Sequence, residues 1–191
     1  NVEYIFAPSL TYNIDEKKGD NHYNCPVVAY YPEVIRCNVK MNEGTRFLSP
    51  FLNISNEKTF SKYFTIQMNK EGIDLDERDV KRAAGLAYKA LAEYKSDVEK
   101  EGERIIEKAE KENIPLVVLV GRPYHVDSEI NHGIDTLLTS LGVAIITEDS
   151  VSRKEEKFRT MVLNQWTYHS RLYGAAKWVR DRKDNRTVLI H

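Results

Sequence analysis

The clearest pattern in the chain is a long run of apolar positions at helical spacing. From about Leu75 to Asn113 the apolar residues recur with a period of about 3.6, and the other face is rich in Glu and Lys. Asn113 and Pro115 end the run, because proline does not continue a helix. The pattern predicts one long amphipathic helix over residues 75–113, of a kind that more often braces two lobes than carries chemistry.

A different pattern follows this helix. Leu116 to Val120 is a continuous apolar run that leads directly into Gly121, which is typical of a central strand buried on both faces of a parallel sheet. The sequence therefore predicts a βαβ unit in this half of the chain. Its further elements are a helix over about 129–141, a strand over 143–147, a last helix over about 155–182 with Met161 and Val162 inward, and a strand over 187–191.

The region before the long helix gives weaker signals. Its elements, in chain order, are a strand over 2–7, a polar segment over 8–24, a helix from Cys25-Pro26 to about Asn38, a strand over 46–51, and a helix capped by Ser55 or Asn56. Pro32 is expected to distort or restart the first of these helices.

Together these elements predict an α/β fold with two Rossmann-like or flavodoxin-like three-layer lobes, whose parallel sheets are joined by the long helix. The predicted domains are a partial lobe over 1–74, truncated at its N-terminus, the connecting helix over 75–113, and a second lobe over 114–191. Both ends of the chain have the pattern of strands, so we expect the chain to be a fragment whose sheets continue in a larger protein.

The charge and the cysteine content exclude several classes of protein. Lys and Arg total 28 against 29 for Asp and Glu, and a net charge of -1 offers no basis for binding nucleic acid or an acidic membrane. No apolar run approaches the roughly 20 residues that span a bilayer. Two cysteines and no secretory signal are typical of a reduced, cytoplasmic protein.

The best candidate for a binding site is the loop from Gly121 to Asp127. Ligands of open α/β sheets lie beyond the carboxyl ends of the strands, and this loop follows the predicted central strand. Arg122 could pair with a phosphate or a carboxylate, and His125 can exchange a proton near neutral pH. We therefore take Arg122, Tyr124 and His125 as candidate cofactor-binding residues. An equally balanced alternative is that Arg122 and His125 bond neighbouring carbonyls and only order the loop.

Two further polar groups are weaker candidates. One contains His125, Asp127, Glu129 and His132, whose spacing matches no known zinc signature, so a structural role is favoured over a metal site. The other is a stripe of Gln165, His169 and Tyr173 at i, i+4 and i+8, which could face a cleft or a partner domain. Packing of that stripe against the sheet is the favoured interpretation.

Other familiar nucleotide and hydrolase motifs are missing from the sequence. It contains no Gly-x-x-x-x-Gly-Lys-Ser/Thr loop, and Gly121 stands without the companion glycines of a dinucleotide fingerprint. It also has no Gly-x-Ser-x-Gly elbow. We therefore do not expect the chain to bind ATP by itself.

Cys25 lies just before Pro26 at the start of a predicted helix. The helix dipole lowers the pKa of a thiol there, which favours thiolate chemistry or metal ligation. Iron-sulfur clusters usually require several cysteines, and Cys37, about three turns along the same helix, is too far away to share an iron. From the residues alone, a buried structural role for Cys25 is favoured.

Five segments carry a resemblance to a known family. They are NHYNCP over 21–26, YPEVI over 31–35, GRPYH over 121–125, EINHGI over 129–134 and QWTYHSRLY over 165–173. Over nearly its whole length the chain resembles the middle, uncharacterised domain of the large CoA-substrate-specific enzyme activase proteins of anaerobic bacteria. That family is related to the 2-hydroxyglutaryl-CoA dehydratase system.

The resemblance implies a particular setting for the chain. In such proteins, paired actin-like ATPase activator domains precede this domain, and a part similar to the 2-hydroxyacyl-CoA dehydratase subunits follows it. The related dehydratase subunits bind iron-sulfur clusters through cysteines on neighbouring lobes, so the resemblance makes Cys25 a candidate ligand whose partners lie outside this chain. ATP would bind only on other domains, and Cys37 matches no ligand position.

The resulting hypothesis is a domain that is inactive by itself and belongs to an ATP-driven, iron-sulfur electron-transfer protein, an ATP-dependent activase or reductase. It would supply one cluster thiolate and a docking surface. The first alternative is a module that binds a CoA thioester or a nucleotide phosphate through the Gly121 to Asp127 loop. The second alternative is a structural spacer.

Overall fold

The structure is a computed structural model that describes residues 2–191 and has a mixed α/β architecture. The chain forms two compact units. Unit 1 contains the chain up to Asp15 together with Asn21–Leu91, and unit 2 contains Glu16–Asp20 together with Ala92–His191. The α/β class is thus confirmed, whereas the division into domains 1–74, 75–113 and 114–191 stays a prediction.

Unit 1 is built on short parallel strand pairs. Strand β1 (Tyr4–Phe6) pairs with β3 (Arg46–Leu48), and β2 (Ser9–Tyr12) pairs with β4 (Phe51–Asn53). Helix α1 (Pro26–Asn38) packs on β2. The polar segment predicted over 8–24 thus contains a strand that was not predicted, because Ser9–Tyr12 completes a parallel ladder with a strand about forty residues away.

The helices of unit 1 begin where their capping residues predict. Cys25 is the N-cap of α1 and Pro26 occupies its first turn, where the missing N–H leaves no hydrogen bond unmade. Helix α1 continues through the buried Pro32 without an interruption. Asn56 caps α2 (Glu57–Lys70), since its side-chain oxygen accepts hydrogen bonds from the backbone N–H groups of Lys58 and Thr59, at 3.0 and 3.3 Å.

The long helix is confirmed as α3 (Glu77–Glu112), within two residues of its predicted bounds. Its residues up to Leu91 belong to unit 1 and the rest belong to unit 2. None of the helices in residues 2–191 has both the length and the apolar character that crossing a bilayer requires.

Unit 2 contains a three-stranded parallel sheet in the order β6-β5-β7. The strands are β5 (Leu116–Leu119), β6 (Ala144–Thr147) and β7 (Thr187–Ile190), and every residue of β5 is buried. In the register of the sheet, Leu119 lies beside Thr147 on one side and Ile190 on the other. The carboxyl ends of all three strands therefore meet at one edge.

The start that the sequence predicts for the last helix of unit 2 is wrong. A short helix, α5 (Glu148–Val151), follows β6, and α6 spans Thr167–Arg182 rather than 155–182. Met161 and Val162, which were expected inward, are exposed. The segment before α6 is held by Asn164, whose backbone N–H donates to the Asp20 carboxylate at 3.3 Å and whose side-chain oxygen accepts from the Ser170 hydroxyl at 2.9 Å.

The helix predicted over 129–141 is also shorter than expected. It is α4 (Ile134–Ser140), and the residues before it form turns. The Asp127 carboxylate accepts hydrogen bonds from the backbone N–H groups of Glu129 and Ile130 at 2.9 and 3.1 Å, and the Asn131 side chain accepts from Gly133 at 2.7 Å. These side chains compete with the helical hydrogen bonds and delay the start of α4.

Helix α5 and the turn that follows it lie very close to two helices. A Cβ atom on Gly102 of α3 would overlap the Cβ atom of Ser150, and one on Gly174 of α6 would lie 2.8 Å from the carbonyl oxygen of Ser152. The absence of a side chain at Gly102 and Gly174 thus permits the tight packing around the buried Val151.

Candidate functional site

The loop after β5 lies at the carboxyl edge of the unit 2 sheet, as the sequence predicts. Residues 121–127 follow this central strand, and Pro123–Val126 forms a 3-10 turn within the loop. The chain runs from β5 to β6 on one side and then crosses to β7 on the other. In parallel sheets such a reversal opens a crevice at the strand ends, where ligands bind.

His125 of this loop lies beside a glutamate that was not predicted from the sequence. Glu148 follows directly after β6, and its Oε2 lies 3.1 Å from Nε2 of His125. The two side chains are only 4% and 14% exposed, respectively. The pair is therefore a buried ionisable group at the ends of two adjacent strands.

The contacts of His125 indicate where its proton lies. Nδ1 of the ring contacts the carbonyl oxygen of Arg122, which also accepts the backbone N–H of His125 at 2.8 Å. Because a carbonyl oxygen can only accept, we assign a proton to Nδ1. In neutral His125 the other nitrogen, Nε2, would then present a lone pair to the carboxylate of Glu148.

Two facing acceptors require one more proton between them. It can be on Nε2, giving an imidazolium beside a carboxylate, or on Glu148, giving an imidazole beside a carboxylic acid. Burial raises the pKa of Glu148, and the charge of His125 opposes that rise. Among the described residues neither Nε2 nor Oε2 has a hydrogen-bond partner of good geometry, so the 3.1 Å contact is an electrostatic one.

Gly121 permits this arrangement. A Cβ atom at this position would lie 2.8 Å from Cβ and 2.9 Å from Cγ of His125, closer than packed side chains come. The glycine that ends the apolar run therefore lets the His125 ring lie against the backbone at the end of β5.

The other predicted residues of the loop are less enclosed. Arg122 is half-buried and Tyr124 is 52% exposed. Burial lowers the pKa of His169 on α6, and the positive charge of Arg122 lowers it further. Arg122, His125 and His169 all belong to unit 2.

The predicted stripe of Gln165, His169 and Tyr173 is only partly helical, because Gln165 precedes the first residue of α6. The ring of His169 lies 4.9 Å from the ring of Trp166, and its Nδ1 is buried without a hydrogen-bond partner in the part of the chain that the structure describes. His132 is exposed. Residues 2–191 contain no group of three or more His, Cys, Asp or Glu side chains that could hold a metal ion.

A second charged cluster in unit 2 was missed by the sequence reading. Glu16 accepts two hydrogen bonds from Arg171, at 2.6 and 2.8 Å, and one from Lys95 at 2.8 Å. Burial raises the pKa of Glu16, but the hydrogen bonds and charges of Arg171 and Lys95 outweigh it and hold the pKa at about 2. The guanidinium of Arg171 also lies over the Tyr168 ring, at 5.0 Å from its centre. These contacts hold Arg171 in place.

Cys25 lies in unit 1, whereas Arg122, Tyr124 and His125 share one loop of unit 2. The Cys25 side chain is buried with 8% exposure, and Cys37 is exposed. The two cysteines are roughly 18 Å apart along α1, given a rise of about 1.5 Å per residue. They cannot be ligands of one iron.

Taken with the fold, these features define an α/β protein with parallel sheets and a polar site at the carboxyl edge of one of them. A family model described as CoA enzyme activase uncharacterised domain matches residues 1–151. The chain belongs to this family, which confirms the resemblance read from its sequence. Comparison with curated proteins and with solved structures found no match. Both His125 and Glu148 lie within the matched residues, whereas α6 and β7 follow them.

Proposed function

We propose that this chain is a domain of a larger, cytoplasmic activase protein and that its unit 2 binds a phosphate-bearing small molecule, a CoA thioester or a nucleotide. The observation that carries this proposal is the buried His125–Glu148 pair beside Arg122 at the carboxyl edge of a parallel sheet. The family name supports a CoA-related role, and Arg122 supplies a positive charge where such sheets receive phosphates.

In this proposal each residue has a distinct role. Arg122 pairs with the phosphate, and the exposed ring of Tyr124 lies against the ligand. A bound anion favours the imidazolium form of His125, so the proton of the His125–Glu148 pair moves toward Nε2 and leaves Glu148 as a carboxylate. Binding of the ligand is therefore coupled to the position of one proton.

Replacing Arg122 with alanine is expected to weaken binding of CoA by roughly tenfold or more, because a charge-assisted hydrogen bond contributes about 1.5–3 kcal/mol. Isothermal titration calorimetry with CoA, acetyl-CoA and ADP measures the affinity. Arg159→Ala is the matched control, since Arg159 is an exposed arginine of the same unit outside this loop. Absence of heat at millimolar ligand, or equal affinities for both variants, would contradict the proposal.

A second candidate function rests on Cys25, the buried N-cap residue of α1. We infer that Cys25 supplies one thiolate to an iron-sulfur cluster of the parent protein, in which actin-like domains bind ATP and a dehydratase-like part receives the electron. The described residues contain two cysteines that lie too far apart to share an iron and no three-ligand group, so they do not fit a complete cluster. The remaining ligands would come from other domains, and we derive no electron-transfer step within this chain.

The full-length parent protein, reconstituted with iron and sulfide, tests the role of Cys25. Cys25→Ala is expected to reduce the bound iron measured per protein, because a cluster that loses a ligand is less stable. Cys37→Ala changes an exposed cysteine at the other end of the same helix and should leave the iron content unchanged. Equal iron in Cys25→Ala and in the unmodified protein removes Cys25 from the site.

A further inference from the structure

Unit 1 contains an open cavity of its own, between strand β4 and helix α2. Its volume is about 540 Å³, within the range of roughly 300–1,000 Å³ that small-molecule sites occupy. Phe51 and Leu52 form the strand side, and Lys58, Lys62, Tyr63 and Ile66 form the helix side. We call this cavity the β4–α2 groove.

The sequence builds the helix wall of the groove through its periodicity. Lys58, Lys62 and Ile66 are spaced four residues apart, so they follow one face of α2. The side chain of Asn56 caps the start of this helix.

The body of the groove is apolar and open to water. Leu52 is buried at 3% exposure, whereas Phe51, Tyr63 and Ile66 are 40%, 48% and 41% exposed. Three large apolar side chains that remain half-exposed around one cavity are more than the scattered single residues that an ordinary surface shows. Contact with an apolar ligand would remove this surface from water.

The charged groups of the groove have one sign. Within residues 2–191 no carboxylate forms an ion pair with Lys58 or Lys62, whereas Lys95 and Lys177 have carboxylates at 2.8 Å. The nearest acid in sequence, Glu57, points to α3, with its Oε1 3.2 Å from where a Cβ atom on Gly85 would lie. Lys58 and Lys62 therefore favour an anion at the groove and disfavour a cation.

We propose that the β4–α2 groove binds an amphipathic anion, such as a medium-chain carboxylate. Its apolar body lies against Phe51, Tyr63 and Ile66, and its carboxylate lies beside the ammonium groups of Lys58 and Lys62. This site is separate from the loop of unit 2, because every residue that lines it belongs to unit 1.

Calorimetric titration of the 191-residue chain with decanoate, below the concentration at which it forms micelles, tests the proposal. Decanoate is expected to bind, and decyltrimethylammonium, which has the same chain length and the opposite charge, is expected not to bind. The double variant Lys58→Ala/Lys62→Ala should bind decanoate at least roughly tenfold more weakly, because both charge-assisted contacts are lost. Lys70→Ala, at the exposed end of the same helix, is the matched control and should bind normally.

Tyr63→Ser tests the apolar wall, and thermal melting followed by circular dichroism shows that each variant is folded. The Tyr63→Ser variant should also bind decanoate more weakly. Equal binding of decanoate and decyltrimethylammonium, or no change in the lysine double variant, overturns the proposal. The chain could also fail to bind decanoate and sediment as a dimer that becomes a monomer after Tyr63→Ser. That result would show that the groove binds a second copy of the chain instead. Arg122→Ala should leave decanoate binding intact, so this test is independent of the function proposed for unit 2.

Discussion

Arg171→Met is expected to lower the free energy of unfolding by about 3–5 kcal/mol, the usual effect of removing one partner from a buried ion pair. The substitution leaves Glu16, whose side chain is 7% exposed, with Lys95 as its remaining partner in the cluster. Urea denaturation followed by circular dichroism measures the change. A loss below about 1 kcal/mol would show that water solvates this cluster as it does a surface pair.

Two further variants isolate the cause. The double variant Glu16→Gln/Arg171→Met should recover part of the lost stability, since it removes the unpaired buried charge as well. Arg104→Met breaks a pair on α3 whose side chains are 63% and 54% exposed, and it should change the stability by less than about 1 kcal/mol.

The same cluster predicts the direction of a pH dependence. The pKa of Glu16 is about 2 in the folded protein against an ordinary value of 4.5. A depressed carboxyl pKa contributes stability that is fully present above the unfolded pKa and is lost as the pH falls through the folded one. Stability should therefore fall between about pH 4.5 and pH 2, and Glu16→Gln should flatten that part of the curve.

Gly174→Ala is expected to destabilise the protein by about 1–3 kcal/mol, the usual effect of overpacking. The sign of this stability change is informative, because alanine inside a helix is ordinarily about 1 kcal/mol more favourable than glycine. Here the new Cβ atom would lie 2.8 Å from the backbone carbonyl oxygen of Ser152, and a backbone atom of a buried residue cannot easily move away. Thermal unfolding of the variant measures the change.

Gly85→Ala is the matched control for Gly174→Ala. Gly85 is also inside a helix, but its nearest neighbour is Oε1 of the Glu57 side chain at 3.2 Å. That carboxylate can rotate away, so the variant should be neutral or more stable. A stabilised Gly174→Ala would contradict the tight packing of α6 on the residues after α5.

The sequence predicted those elements whose patterns are long or uniform. The 36 residues of α3 and the wholly apolar β5 depend on local composition alone, so their bounds were confirmed within two residues. Ser9–Tyr12 has a single clearly apolar position, Leu10, and becomes a strand only because it pairs with Phe51–Asn53. Met161 and Val162 show the opposite case, since the helical pattern placed them inward although they lie before α6 and are exposed.

The sequence predicted one residue of the buried pair, His125, and missed the other, Glu148. The position of His125 follows from the rule that ligands lie beyond the carboxyl ends of parallel strands. The same rule could have found Glu148, a charged residue directly after the apolar strand β6, because the ends of β5 and β6 share one edge. No comparable signal exists for Glu16, whose partner Arg171 is 155 positions away.

That separation has a consequence during synthesis of the protein. Ribosomes add about 5–20 residues per second, so Glu16 is made roughly 8–30 s before Arg171. For that time Glu16 lacks its Arg171 partner, and the cluster cannot be completed until α6 has been synthesised. A protein fragment that begins at Ala92 would contain all three strands of the unit 2 sheet. It would lack Glu16, the carboxylate that pairs with the buried guanidinium of Arg171.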